Sequence, residues 1–116
     1  MSFVAIAGEL AAALSTVDGL TGHPKMPAAP RVGDAWCVMG RGNRAVGDAF
    51  DVAWRVRVCV PTGDDAKALE LFDTWWSDAF AALTGAGAEV DAFAPIVMAT
   101  KNGDIWAYEI VCRTGE

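Results

Sequence analysis

The stretch from Phe50 to Leu83 constrains this chain more than any other. Its first eleven residues alternate: Phe50, Val52, Trp54, Val56, Val58 and Val60 fall on one face, and Asp51, Arg55 and Arg57 on the other. A period of two over that length is the mark of a half-buried strand. After Pro61-Thr-Gly-Asp-Asp65 the period changes. Leu69, Phe72, Trp76, Ala79 or Phe80, and Leu83 recur at steps of three and four, which makes a helix with one apolar stripe. A long strand feeding a long amphipathic helix packs as a sheet layer under a helix layer.

The remaining elements fit around that unit. Ser2 can cap a helix over Phe3 to Val17, with Phe3, Ile6, Ala7, Leu10, Ala13, Leu14 and Val17 at helical spacing. Asp18-Gly19 ends it, and a short extended piece, Leu20 to Lys25, follows. Pro24, Pro27, Pro30 and Gly33 then make a surface loop. Asp34 to Met39 reads as a strand, and Gly40 to Gly47 as the turn of an antiparallel hairpin with the long strand. Thr62, Asp64 or Asp65 caps the second helix, expected over Asp65 to Leu83 and stopped by Gly85 and Gly87. Two last strands, Glu89 to Thr100 and Asp104 to Arg113, are joined by Asn102-Gly103, a type I′ hairpin signal. Pro95 predicts a bulge or bend in the first of them. In the second, Trp106, Tyr108, Ile110 and Cys112 share one face. The expected fold is α+β: a mostly antiparallel sheet of four to five strands with two helices packed on one face, as a single domain over residues 1–116.

Composition narrows the functional classes. Apolar residues make up 53% and charged residues 21%, values of a folded chain. Charged residues break every apolar run well short of the roughly 20 residues that a membrane span needs. The N-terminal segment has Glu9 inside it and no Lys or Arg before it, a poor match to a signal peptide. The three cysteines, Cys37, Cys59 and Cys112, are far apart and lie in strand-like segments, so we expect free thiols in a reducing compartment, without a disulfide frame or zinc site. Residues 1–60 carry six Lys or Arg against five acids, and residues 61–116 three against ten. That acidic excess is opposite to the charge of proteins that grip nucleic-acid phosphates.

Catalytic patterns are scarce. His23 is the single histidine and lies in the proline-rich segment without a second ligand at metal spacing. The run Gly40-Arg-Gly-Asn-Arg-Ala-Val-Gly47 matches neither the dinucleotide fingerprint nor the phosphate loop, and it precedes a strand rather than a helix. Asp64-Asp65 and Glu89/Asp91 are carboxylate pairs with no acid placed across a cleft from them. We therefore expect no catalytic residues, no metal and no cofactor.

Five tryptophans in 116 residues are the unusual feature. Trp75 and Trp76 point about 100° apart on a helix and cannot both centre one stripe. The spacing puts Trp76 in the core with Phe72, Ala79 and Leu83. It leaves Trp75 with Leu71 on the flank, where partner contacts are made; the alternative, of equal weight, is a wide stripe with both tryptophans in the core. The other contact candidates are Arg41 and Arg44 at the hairpin tip, and Pro27 and Arg31 in the loop of residues 24–33.

The layout also carries a resemblance. A first helix, a proline-rich loop ending Gly-Asp-Ala-Trp36, the strand Phe50-Asp-Val-Ala-Trp-Arg-Val-Arg-Val58, the helix Ala68-Leu-Glu-Leu-Phe-Asp-Thr-Trp-Trp76 and a closing hairpin ending Ile105-Trp-Ala-Tyr-Glu-Ile-Val-Cys-Arg113 resemble tail terminator proteins of long-tailed bacteriophages, especially those of actinobacterial hosts. The likeness spans nearly the whole chain and rests on layout, with no diagnostic motif. It implies a virion structural protein, made in the host cytoplasm, with no enzymatic activity. Such a protein forms a ring of six on the last ring of the tail tube, ends tube polymerisation, and offers a surface to the head-completion or connector protein. DNA passes through the lumen without specific binding, and no membrane is involved. Other ring components, a head–tail stopper or a tube protein, share this texture. A stand-alone α+β domain binding a small ligand is the remaining alternative.

Overall fold

The alternating stretch becomes the middle of a five-stranded sheet. The computed structural model describes residues 2–47 and 49–115. In chain order its elements are α1 (Phe3–Leu14), β1 (Thr21–His23), β2 (Asp34–Arg44), β3 (Phe50–Val60), α2 (Asp65–Gly85), β4 (Glu89–Thr100) and β5 (Gly103–Gly115). The sheet order is β1-β2-β3-β5-β4, with β1 parallel to β2 and every other pair antiparallel. The fold is α+β, as the sequence pattern predicts.

One core lies between the sheet and both helices. From the sheet it takes Val52, Trp54, Val56, Val58 and Val60 of β3, with Ile110 and Cys112 of β5. From the helices it takes Ile6, Leu10 and Leu14 of α1, and Ala68, Phe72, Trp75, Ala79 and Leu83 of α2. The Trp54 indole Nε1 donates to Thr114 Oγ1 at 2.8 Å, so the buried polar pair in this layer is satisfied. Phe50, although on the same alternating face, is 39% exposed, because there the strand has run past the helices. On the opposite face of the sheet Trp36, Cys59 and Ala107 are also buried. The proline-rich loop crosses towards that side, where Met26, Ala28, Ala29 and Pro30 share a hollow with Ile105 and the β4–β5 turn.

Helix starts agree with the capping chemistry. Ser2 accepts from the Ala5 amide at 3.1 Å, and Asp64 is the cap of α2, accepting from the Lys67 amide at 3.0 Å. Helix ends agree less well. α1 stops at Leu14, three residues before the expected Val17. Ser15 turns its hydroxyl outward to accept from the Gly22 amide at 2.9 Å, which ties the helix end to β1. Val17 and Leu20 are still buried, but from the connecting turn. α2 runs to Gly85, and Gly87, with φ of 92°, carries the left-handed stop.

Three turn features differ from the sequence reading. β2 does not end at Met39; after a register shift between Met39 and Gly42 it stays paired with β3 as far as Arg44↔Phe50. The expected turn over residues 40–47 is thus mostly strand, and the reversal is shorter, closed by the Ala45 amide on the Ala49 carbonyl at 2.9 Å. The β4–β5 turn places Lys101 and Asn102 between the paired Thr100 and Gly103. Among the described residues no non-glycine has a positive φ, so neither Lys101 nor Asn102 takes the conformation that type I′ needs; within this turn Gly103 takes it, at 108°. The bulge expected at Pro95 lies instead between Val90 and Ala92. Pro95 needs none, because β4 is an edge strand with room for a residue lacking an N–H.

Candidate interaction surface

That bulge decides which side chains β4 shows. Val90 pairs with Cys112 and faces the helices. Unbroken alternation would send Ala92 the same way and Phe93 to the far face. The extra residue, Asp91, resets the count, so Phe93 pairs with core residue Ile110 and Val97 with Trp106 on the helix side. Arg113 holds the bulge from β5. Its Nε and Nη2 donate to the two Asp91 carboxylate oxygens at 2.8 and 3.1 Å, and Nη2 reaches Glu89 at 2.8 Å. The Arg113 hydrogen bonds keep the Asp91 carboxyl below its ordinary value. Glu89 and Asp91, a carboxylate pair in the sequence, are therefore an arginine clamp.

Phe93 meets α2 in an aromatic cluster. Its ring centroid lies 4.6 Å from Trp76 and 5.5 Å from Phe72. Phe72 stacks on Tyr108 at 4.1 Å with the rings 6° from parallel, and Trp76 leans on Phe80 at 5.7 Å. The outer members of the cluster reach solvent. Leu69, Phe80, Phe93 and Val97 are 58, 44, 51 and 61% exposed. On α2, Leu69, Asp73, Trp76 and Phe80 follow one another at steps of four, three and four, which makes a single stripe along the flank beside β4. An exposed carboxylate thus stands in the middle of an exposed apolar strip.

The two tryptophans are the reverse of the sequence assignment. Trp75 is in the core at 7% exposure, and its indole packs against the α1–β1 turn, where a Cβ on Gly19 would come within 2.8 Å of Nε1. Trp76 is half-buried and belongs to the aromatic flank. The reason is that the buried stripe is centred on Ala68, Phe72, Trp75, Ala79 and Leu83, not on Leu69 and Trp76. Leu71 is half-buried and packed against the core. Trp75 and Leu71 are therefore structural residues, and the flank open to contact is made by Leu69, Trp76, Phe80, Phe93 and Val97. The sequence held one signal for this: apolar residues at 68, 69, 72, 75, 76, 79, 80 and 83 cover a wider arc than one helix buries.

The other candidates lie elsewhere. Arg41 and Arg44 are exposed on the β2–β3 arm, along with Val46 at 87%, Met39 at 50% and Phe50. Arg44 Nε donates to the Gly47 carbonyl at 2.7 Å, so this side chain also braces the turn. Pro27 is half-buried and Arg31 exposed. The Arg31 backbone amide donates to Asp34 Oδ2 at 2.8 Å, and His23 Nε2 lies 3.0 Å from Asp34 Oδ1. Partial burial pushes the Asp34 carboxyl up, but these two hydrogen bonds together with the nearby His23 and Arg31 charges outweigh it and leave the group below its ordinary value. His23 thereby ties β1 to the start of β2. The six candidate contact residues of the sequence thus sit on three separate elements.

Residues with catalytic chemistry do not converge in the same way. All three cysteines are free and buried. Burial pushes the Cys37 thiol up to about 12 and Cys112 to about 11, far from a nucleophilic thiolate at neutral pH. Among the described residues no three His, Cys, Asp or Glu side chains are grouped to hold a metal ion. An apolar hollow of about 230 Å³ lies between the start of α2 and β4, lined by Val60, Ala68, Pro95, Val97, Trp106 and Tyr108, with Asp65 at its rim. It is smaller than the 300–1,000 Å³ typical of ligand pockets, while the hollow under the proline-rich loop, at about 360 Å³, is at the low end of that range. No helix among the described residues is long and apolar enough to cross a membrane. No protein-family model matches the chain, and no curated protein matches it.

Proposed function

We propose that this chain is a virion structural protein of the tail-terminator type. Six copies would form a ring at the head-proximal end of a phage tail tube, stop its growth and offer a surface to the head-completion protein. The observation that carries the reading is the exposed apolar strip on α2 and β4, beside an edge strand whose outer side has no partner among the described residues. Strips of this kind are where proteins meet proteins. The acidic balance of the chain suits a conduit through which DNA slides without sticking.

Electron microscopy of purified protein mixed with terminator-free tail tubes tests this. The expected images show one extra ring at a single end of each tube, with tube length fixed after its addition. Bare tube ends would sink the proposal. Addition all along a growing tube would replace it with a tube-protein role, and addition only to a connector with a stopper role.

A further inference from the structure

We infer that the α2–β4 strip is the docking site for the β2–β3 arm of a second copy of this chain, in a head-to-tail contact. Three observations meet in that occupant. The first is charge. The arm carries Arg41 and Arg44 against Asp48 and Asp51, whereas residues 61–100, which include α2 and β4, carry seven acids against Lys67. Among the described residues Arg41 has no ion-pair partner, while exposed Asp73 stands in the middle of the apolar stripe of α2. Opposite charges on two surfaces of one chain draw different surfaces together and keep like surfaces apart.

The second observation is apolar area on both sides. Val46, Met39 and Phe50 project from the arm, and Leu69, Phe93 and Val97 from the strip. The third is strand direction. β1 covers the outer edge of β2 only at Asp34, Ala35 and Trp36, so residues 37–44 of β2 are open on that side among the described residues. β2 runs opposite to β3, β3 opposite to β5, and β5 opposite to β4. β4 therefore runs opposite to β2. Two copies related by rotation about an axis near the strand direction would bring β4 of one beside β2 of the next in antiparallel register, the usual pairing of sheet edges. The bulge at Asp91 and Pro95 keep any such pairing short, so side-chain contacts supply most of the selectivity.

A contact between two different surfaces of identical chains closes into a ring or grows into a filament. The number of copies in that ring rests on the terminator reading; the docking itself does not. Two variants test it. One blocks the arm (Arg41→Asp with Val46→Asp) and the other the strip (Leu69→Asp with Val97→Asp). All four positions are exposed, and unchanged far-UV circular dichroism checks folding. Sedimentation is run on each alone, on their mixture and on the unmodified chain at high concentration, and microscopy on tail tubes.

The expected result is that each variant alone stays monomeric and leaves tubes bare. The equimolar mixture gives a dimer of one copy of each, with at least a tenfold gain in association over either alone, because one intact arm meets one intact strip. A variant that assembles like the unmodified chain, or a mixture that stays monomeric while the unmodified chain associates, overturns the inference and leaves the terminator role standing. If the unmodified chain leaves tubes bare, the role falls while a mixed dimer still upholds the docking. An unmodified chain that neither associates nor caps tubes overturns both.

Discussion

Trp75 and Trp76 show how much one position along a helix is worth. The indole of Trp75 fills space between α2 and the turn at Gly19, whereas water already reaches part of Trp76. Trp75→Ala should therefore cost about 3–5 kcal/mol, the range for truncating a buried aromatic. Trp76→Ala should cost clearly less, since its cavity opens to solvent. Urea unfolding of the two variants checks this, and a larger loss at Trp76 would contradict the placement of the core stripe. Sequence reasoning located the pair and the need to split it. It could not say which member goes inside, because the two lie about 40° and 60° to either side of the stripe centre, and what fills the space beside Trp75 is the turn at Gly19.

At the scale of elements, α1 and β1 show contact between backbones that no periodicity reveals. A Cβ added at Gly22 would fall inside contact distance of the Ala11 carbonyl. Gly8, in the middle of α1, has nothing within 4 Å of such a Cβ. Gly8→Ala should raise stability by about 0.5–1 kcal/mol through helix propensity alone. Gly22→Ala should lower it by about 1–3 kcal/mol, the usual cost of overpacking, as α1 is pushed from the sheet. Thermal unfolding of both variants decides; equal effects would mean that α1 does not sit tightly on β1. The same scale explains the misplaced bulge. Pro95 is the conspicuous residue, but what shifts the register is Asp91, held by an arginine 22 residues away in sequence.

For the molecule as a whole, the arrangement that matters is the separation of an apolar arm bearing the exposed Arg41 from an acidic, apolar flank. If charge helps bring copies together, salt should weaken their association. The screening length falls from about 10 Å at 0.1 M to about 3 Å at 1 M salt. Occupancy of tube ends, or self-association of the free chain, should drop several-fold between 0.05 and 0.5 M NaCl, measured by microscopy or sedimentation. A contact made of apolar surface alone would hold or tighten over that range, which would remove the electrostatic part of the argument.

The sequence by itself determined the α+β class, the central strand Phe50–Val60, the second helix with its acidic cap, and the burial of the cysteines. Each of these is local: a period, a cap or a breaker, read within a few residues. Tertiary structure alone decided which tryptophan is core, where β4 changes face, and how far β2 and β3 run on as an exposed arm. Those outcomes depend on partners far along the chain, on the α1–β1 turn at Gly19 beside Trp75 and on Arg113 across from Asp91. The contact strip on α2 and β4 follows from them, because an exposed surface is what remains once every element has chosen what to bury.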